Sequence, residues 1–500
     1  MKKRIVSLAL IVAFLAVGLT GRIGYIIFSK TYTVSEGYNS YVLTIDTFAP
    51  TLYYEDFQRI TNNTKQYAAV IRPNAKCVAE LSKIFDSKRV KEITEELKKG
   101  YPVIINIEEK DKDGFKYNHV FETYDTKCSF PQLISKNSSG MMTYIEGAAG
   151  KRKIKFSIDA KQRLLSGDSG SIIDENYDSK EGYRLSISKE IQQIVYDACR
   201  DMKNGCALVM DVHDASILAS VSKPDTSYVN KTLQKYPVGS VFKLIVSACA
   251  IENHCDLSYN CLGKIAVGDT VFGCQNYHKH AEQNLKEALG NSCNCYFVNL
   301  ALHLGKDKLT KTARAFGFED TTLLFDNWKV QNGMLPNDYE LNSKGQLALL
   351  GFGQGKLLST PLQICSSLCT IANGGIKNEP RLVLSNVDRL SNFYDIVYDE
   401  GERVLSKAAC KTLIQYMRYV VSDGTGRKAQ STDGKSAGKT ATAQTGQYDK
   451  GIELLNTWFA GIYPYDAPKY AVVIMVEDGT SGSSDCCPIF RTIVEKLRKL

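Results

Sequence analysis

Residues 236–251 read YPVGSVFKLIVSACAI. Pro237 and Gly239 interrupt what precedes them, and from Ser240 onward apolar residues recur at helical spacing: Phe242, Leu244, Ile245, Val246 and Ala248. On a helix, Lys243 lies about one turn beyond Ser240 and on the same face. A serine hydroxyl is a poor nucleophile until something takes its proton. A lysine desolvated against an apolar helix is neutral often enough to serve as that base. The competing reading is a helix N-cap serine followed by a surface lysine. Taken singly, S-x-x-K does not separate the two.

Two distant stretches do. Residues 289–294 read LGNSCN, which sets Ser292 and Asn294 in an S-x-N. Residues 438–444 read GKTATAQ, which sets Lys439 and Thr440 close to a K-T-G. S-x-x-K, S-D-N and K-T-G together are the signature of penicillin-interacting serine enzymes, and the order here is the same. Residues 236–243 also resemble the Y-P-P-G-S-T-F-K box of class B penicillin-binding proteins. Gly353-Gln354-Gly355 followed by Thr360-Pro361-Leu362-Gln363 resembles that family's G-Q-G and T-P-L-Q segment.

The resemblance implies a fold and a mechanism. The fold would be α/β (α+β): a transpeptidase domain with a central antiparallel sheet flanked by helices, an elongated N-terminal pedestal and one transmembrane helix. Carried over residue by residue, Ser240 attacks a carbonyl and forms an acyl-enzyme, and Lys243 takes its proton. Ser292 relays that proton to the leaving amine, while Asn294 holds Lys243 and the substrate amide. Lys439 supplies positive charge, and Thr440 binds the terminal carboxylate. The backbone N–H groups of Ser240 and Thr442 form the oxyanion hole. The third box departs from the family at Ala441, where glycine is usual and where an added methyl crowds substrate or drug. The implied reaction is cross-linking of peptidoglycan stem peptides, with acylation by β-lactams, no cofactor and no metal.

Bulk properties set the frame. Five hundred residues suggest two or three domains, and 44% hydrophobic with 23% charged residues is globular. The net charge of +8 is mild and spread out, which gives nucleic-acid binding no support. Fifteen cysteines are many and odd in number. None has the spacing of a paired C-x-x-C zinc site. Cys255, Cys261 and Cys274 with His278 and His280 come nearest to a ligand cluster, yet buried free thiols are the preferred reading.

Lys2, Lys3 and Arg4 precede an apolar run over 5–19 that resumes at Ile23 after Gly21-Arg22. The run reads as a single-pass anchor with its N-terminus cytoplasmic and the bulk of the chain outside; a cleaved signal peptide is the rival. The domains are therefore expected at 1–28 (cytoplasmic tip and anchor), 29–185 (extracytoplasmic pedestal) and 186–500 (transpeptidase). In the pedestal, 41–45, 67–71 and 103–107 read as strands and 77–98 as one or two amphipathic helices. Residues 52–59 are a degenerate form of the family's R-G-x-I-Y-D-R-N box, and 165–170 resemble its L-x-G-x-x-G. In the last domain, 206–212 with 217–221 and 457–463 with 470–476 read as two hairpins, so that one sheet is assembled from both ends of the domain.

Two other functions compete. A D,D-carboxypeptidase or β-lactamase-like hydrolase would use the same boxes, and 338–342 (DYELN) echoes the E-x-x-L-N loop that primes a deacylating water. A non-catalytic scaffold of a cell-wall synthesis complex would explain the degenerate pedestal box and Ala441. The resemblance also implies a polytopic glycan polymerase as partner, engaged through anchor and pedestal.

Overall fold

The computed structural model describes residues 2–28, 39–125, 130–134, 140–145, 150–159, 161–165, 167–177 and 181–500. The chain divides into two compact units. The first comprises Met1–Phe48, Thr64–Tyr124 and Ala149–Asp178; the second comprises Ala49–Asn63, Asp125–Ala148 and Ser179–Leu500. Residues of the degenerate 52–59 box belong to the second unit, because Leu52, Tyr54 and Ile60 are buried in its main core and Thr51–Tyr53 pairs in parallel with Gly182–Leu185.

In the first unit the strands fall where alternation placed them, at Ser40–Phe48, Thr64–Ile71 and Val103–Ile107. The helical stretch is two helices, Ala75–Leu81 and Ser87–Leu97, each opened by an acceptor side chain. Asn74 caps Cys77 N–H and Asp86 caps Arg89 N–H. Period two explains the packing: Ala69 and Ile71 meet Leu81, Ile93 and Leu97, whereas Val70 points the other way, to Phe121, Ile154 and Phe156. Ser166 of the 165–170 motif lies outside the described residues.

Lys2–Phe28 forms one 27-residue helix. The side chains of residues 2–5, 7–9 and 26–28 lie outside the described residues; of the rest, Leu10, Ile11, Val12, Phe14 and Leu15 are exposed. Among the described residues, no helix is long and apolar enough to cross a membrane.

The second unit is built on a five-stranded sheet. We label its strands β1 (Gly205–Asp211), β2 (Ile217–Lys223), β3 (Ala437–Asp449), β4 (Ile452–Tyr463) and β5 (Tyr470–Val476). Their spatial order is β2-β1-β5-β4-β3, antiparallel throughout. The two hairpins therefore join through β1 and β5, and β3 becomes an edge.

Both faces of the sheet are covered, which is why its strands read as unbroken apolar runs. Leu208, Met210, Trp458, Ala460, Val473 and Met475 face the larger core. Ala207, Val209, Phe459, Val472 and Ile474 face a second core with Ile191 and Val195 from the helix Lys189–Ala198 and Phe490, Ile493 and Val494 from the helix Cys487–Leu497. Ser186 lies just ahead of the helix Lys189–Ala198 and is not its cap. Its hydroxyl instead donates to Ile217 O at 2.8 Å and ties the entering chain to β2.

Candidate active site

Gly239 has φ 58, a left-handed conformation open to glycine at little cost. It turns the chain into a short 3-10 segment, Gly239–Phe242, that runs directly into the helix Lys243–Glu252. Ser240 sits half-buried in that turn and does not cap the helix, whose N-cap is Phe242 with no side-chain bond. Lys243 is 0% exposed. Neither half of the cap-and-surface-lysine reading describes this site.

Lys243 Nζ donates to Ser292 O at 2.8 Å, to Ser292 Oγ at 3.3 Å and to Asn294 Oδ1 at 2.7 Å. It also lies 5.2 Å from the centroid of the Phe297 ring. Burial pulls its pKa down to about 8, against the smaller opposing effect of the nearby thiols of Cys293, Cys274 and Cys295. The S-x-N residues reach it through local strain. Ser292 is a non-glycine residue at φ 54, between the short helix Leu285–Gly290 and the helix Asn294–Leu304. Asn294 then spends its amide on Gly273 O at 3.0 Å, which fixes which way its carbonyl points.

The third box comes in on β3. Period two puts Lys439, Ala441 and Ala443 on one face of the strand. A Cβ at Gly239 would lie 3.0 Å from Ala443 Cβ and 3.4 Å from Ala441 Cβ. The edge strand therefore runs alongside the turn that carries Ser240, and the Ala441 methyl faces that turn. Lys439 is fully buried, donates to Thr440 O at 2.9 Å, and has its pKa driven well below the ordinary lysine value by burial first and the charge of Lys243 second. The Thr440 hydroxyl is 2.8 Å from that of Thr425. Thr442 is half-buried opposite Thr457.

Several neighbours were not read from sequence. Thr425 N–H donates to Gly290 O at 3.0 Å, so one residue touches both the second and third boxes. Trp458 Nε1–H donates to Pro237 O at 3.1 Å and pins the start of the nucleophile turn to β4. Gly353 of the G-Q-G backs onto Gly239, where a Cβ would fall 1.9 Å from Gly239 O. That close approach is the physical reason for a glycine at this position of the box.

The 338–342 stretch is engaged elsewhere. Glu340 pairs with Lys356 and accepts from Asn337 N–H at 3.1 Å, and Asp338 pairs with Arg314 at 3.5 Å. Neither carboxylate has a hydrogen bond to Ser240, Lys243, Ser292 or Asn294 among the described residues.

None of the described cysteines forms a disulfide, and all but Cys255 are buried; Cys128 lies outside the described residues. The cysteine and histidine cluster singled out in the sequence is gathered only in part. Ligand atoms of Cys261, Cys274, His280 and Cys293 all lie within 4.8 Å of one another. Cys255 and His278 are not in the group. Cys293 is, because the S-x-N turn folds over the loop that carries the other three. Residue spacing along the chain did not show this fourth member.

A serine-bearing turn, a buried lysine held by an S-x-N, and an edge strand bearing K-T thus meet in one place. The family described as penicillin-binding protein transpeptidase domain matches residues 205–495, and the chain belongs to it. The chain is 28% identical over 386 residues to stage V sporulation protein D of Bacillus subtilis, covering 69% of this chain and 57% of that protein. It is 26% identical over 367 residues to the peptidoglycan D,D-transpeptidase PbpA of Mycolicibacterium smegmatis, covering 63% and 72%. A third relative, the peptidoglycan D,D-transpeptidase MrdA of Haemophilus influenzae, is 24% identical, with 62% of this chain and 55% of that one covered. The chain thus spans little more than half the length of two of these three. Relatives of this kind agree with the class B resemblance of the sequence boxes. In fold, it is similar to the D,D-transpeptidase domain of a peptidoglycan glycosyltransferase from Eggerthella lenta, with a TM-score of 0.64 at 19% identity over 90% of this chain and 98% of that one.

Proposed function

We propose that this protein is a serine D,D-transpeptidase that cross-links peptidoglycan stem peptides. Ser240 Oγ attacks the carbonyl of the penultimate D-Ala while Lys243 Nζ accepts the hydroxyl proton. The tetrahedral oxyanion rests on the N–H groups of Ser240 and Thr442, a pair whose loss of one donor costs about a hundredfold or more in rate. Collapse breaks the peptide bond, and the terminal D-Ala leaves as an amine protonated through Ser292. An amine from a second stem then attacks the acyl-enzyme, gives up its proton by the reverse route and restores Ser240. Lys439 supplies positive charge at the groove, and the Thr440 hydroxyl binds the donor's terminal carboxylate. β-Lactams enter as acylating mimics of the donor.

The observation that carries this reading is the environment of Lys243: fully buried, below the ordinary lysine range, and held by both residues of the S-x-N. The hydrolase reading lacks a free carboxylate in the 338–342 loop. We assign residues 1–28 to the anchor, 29–185 to the pedestal and 186–500 to the catalytic part. The catalytic part then lies outside the cytoplasmic membrane, with a polytopic glycan polymerase as partner. The apolar run over 5–19 within the helix Lys2–Phe28 supports the anchor.

A fluorescent penicillin tests the catalytic reading. The full chain is expected to label covalently and to keep the label for many minutes, and Ser240→Ala is expected to give no band. An unlabelled wild type would leave a scaffold, and rapid loss of label would point to a hydrolase.

A further inference from the structure

We propose that Cys261, Cys274, His280 and Cys293 form a zinc site, and that the bound ion fixes the S-x-N turn beneath Lys243. The metal site stands on its own geometry; its effect on the reaction rests on the transpeptidase reading above.

The four ligands arrive from separate pieces of one loop system. Cys261 ends the strand Tyr259–Cys261, and Cys274 follows the strand Thr270–Gly273. His280 immediately precedes the strand Ala281–Gln283, which pairs with the first. Cys293 is the N-cap of the helix Asn294–Leu304. The chain between them bends through left-handed conformations at Asn276, Tyr277 and Ala281, with φ of 52, 53 and 56. Three such non-glycine positions fall within six residues.

The distances select the metal. Cys261 Sγ and Cys274 Sγ are 3.7 Å apart, Cys274 Sγ and Cys293 Sγ are 3.7 Å apart, and Cys261 Sγ lies 3.6 Å from His280 Nδ1. A tetrahedral Zn²⁺ with bonds of about 2.3 Å to sulfur and about 2.0–2.1 Å to nitrogen separates its ligands by about 3.7 Å for S···S and about 3.6 Å for S···N. A disulfide would need about 2.05 Å. Three soft thiolates and one imidazole suit zinc better than magnesium or calcium, which prefer oxygen. Backbone N–H groups already point at two of the sulfurs, Gly263 N–H at Cys261 and Tyr296 N–H at Cys293, each at 3.4 Å. Cys293 also stands at the start of an 11-residue helix. Cys261, Cys274 and Cys293 are buried and His280 is half-buried, so the ion would be closed off on three sides. Cys295, with Sγ 3.5 Å from Cys274 Sγ, is a fourth thiol, outside the mutual group.

The link to the active site is one residue long on each side. Cys293 stands between Ser292 and Asn294, which accept from Lys243. Gly273, directly before Cys274, accepts from the Asn294 amide. An ion bridging Cys274 and Cys293 would clamp those two strands of chain together and keep the strained Ser292 backbone in place. The cysteines would act here as positioning residues.

The test is metal content of the full chain purified in detergent. About one zinc per chain is expected by plasma mass spectrometry. Replacement by Co²⁺ should give the thiolate charge-transfer and intense visible bands of a tetrahedral sulfur-rich site. Cys274→Ser and His280→Ala should lower the stoichiometry or shift those bands, and Cys255→Ser should leave both as they are. His280→Ala is the safer variant because the imidazole is only half-buried. A chain with no bound metal after purification in zinc-containing buffer, or one whose cluster thiols are found paired as disulfides by peptide mapping, would overturn the site. For the clamp, chelation should slow penicillin acylation by about tenfold or more, with zinc restoring it. Unchanged acylation in metal-free, folded protein would overturn the clamp and leave the metal site standing. A chain that never labels but still carries zinc would refute the transpeptidase reading alone.

Discussion

Lys243 Nζ donates to Asn294 Oδ1 at 2.7 Å, although the two residues stand 51 positions apart in the chain. That bond is where the first box meets the second. Because Asn294 also donates to Gly273 O at 3.0 Å, its carbonyl has one orientation and Lys243 one position.

Removing it should therefore hurt chemistry more than folding. Asn294→Ala strips one of three acceptors from a buried lysine, a loss of about 1–3 kcal/mol in stability. Penicillin acylation should fall by roughly a hundredfold as the base loses its alignment. Thermal melts and second-order acylation rates measured together check this. A variant that melts lower yet acylates at the wild-type rate would separate Asn294 from the reaction.

The pH dependence has a definite sign. Lys243 works as a base only when neutral, and burial lowers its pKa to about 8. Acylation should rise with pH toward about 8 and flatten above it. Lys439 is shifted in the same direction and repelled by Lys243, so the observed limb belongs to the pair. For stability, the unfolded lysine binds a proton up to about pH 10.4 while the folded site has released it above about 8. The unfolded chain thus holds more protons across that window, and stability should increase with pH through it. An acylation profile that keeps climbing beyond pH 9.5 would contradict the assignment.

Ala441→Gly tests the departure in the third box. The Ala441 methyl is 4% exposed and faces the Gly239 turn. Removing it should loosen β3 by about 0.5–1 kcal/mol and speed β-lactam acylation several-fold by opening the space beside Ser240. A titration with penicillins of different side-chain bulk measures this, and the bulkiest should gain most. Equal rates across the series would mean that the methyl does not limit access.

Gly353→Ala should be severe. The glycine has φ 83, and an added Cβ would lie 1.9 Å from Gly239 O, so the nucleophile turn must move. A loss above about 2 kcal/mol is expected from the clash and the left-handed backbone together. Ser240 labelling should fall further than the fraction unfolded explains. Circular dichroism at the labelling temperature separates the two contributions.

What was legible in the sequence has a local cause. The S-x-x-K pair is one helical turn, and β1, β2, β4 and β5 are short apolar runs whose two faces both meet cores. Patterns of period 3.6 and period 2 report such features without knowledge of the rest of the chain. The resemblance to class B penicillin-binding proteins rested on boxes of this kind. Other features were not local. The second unit takes Ala49–Asn63 from what reads as pedestal, because three apolar side chains find their core there.

Sequence by itself determined the three boxes, their order, and most of the strands and helices that bear them, since each depends on neighbours within one or two turns. Tertiary structure alone decided that β3 lies at the sheet edge beside Gly239, that Thr425 joins Gly290 to Thr440, and that Cys293 meets Cys261, Cys274 and His280. Those relations hold between residues separated by tens to hundreds of positions. They exist only once burial of the two cores has fixed where each segment runs, and no pattern of spacing along the chain encodes a distance across it.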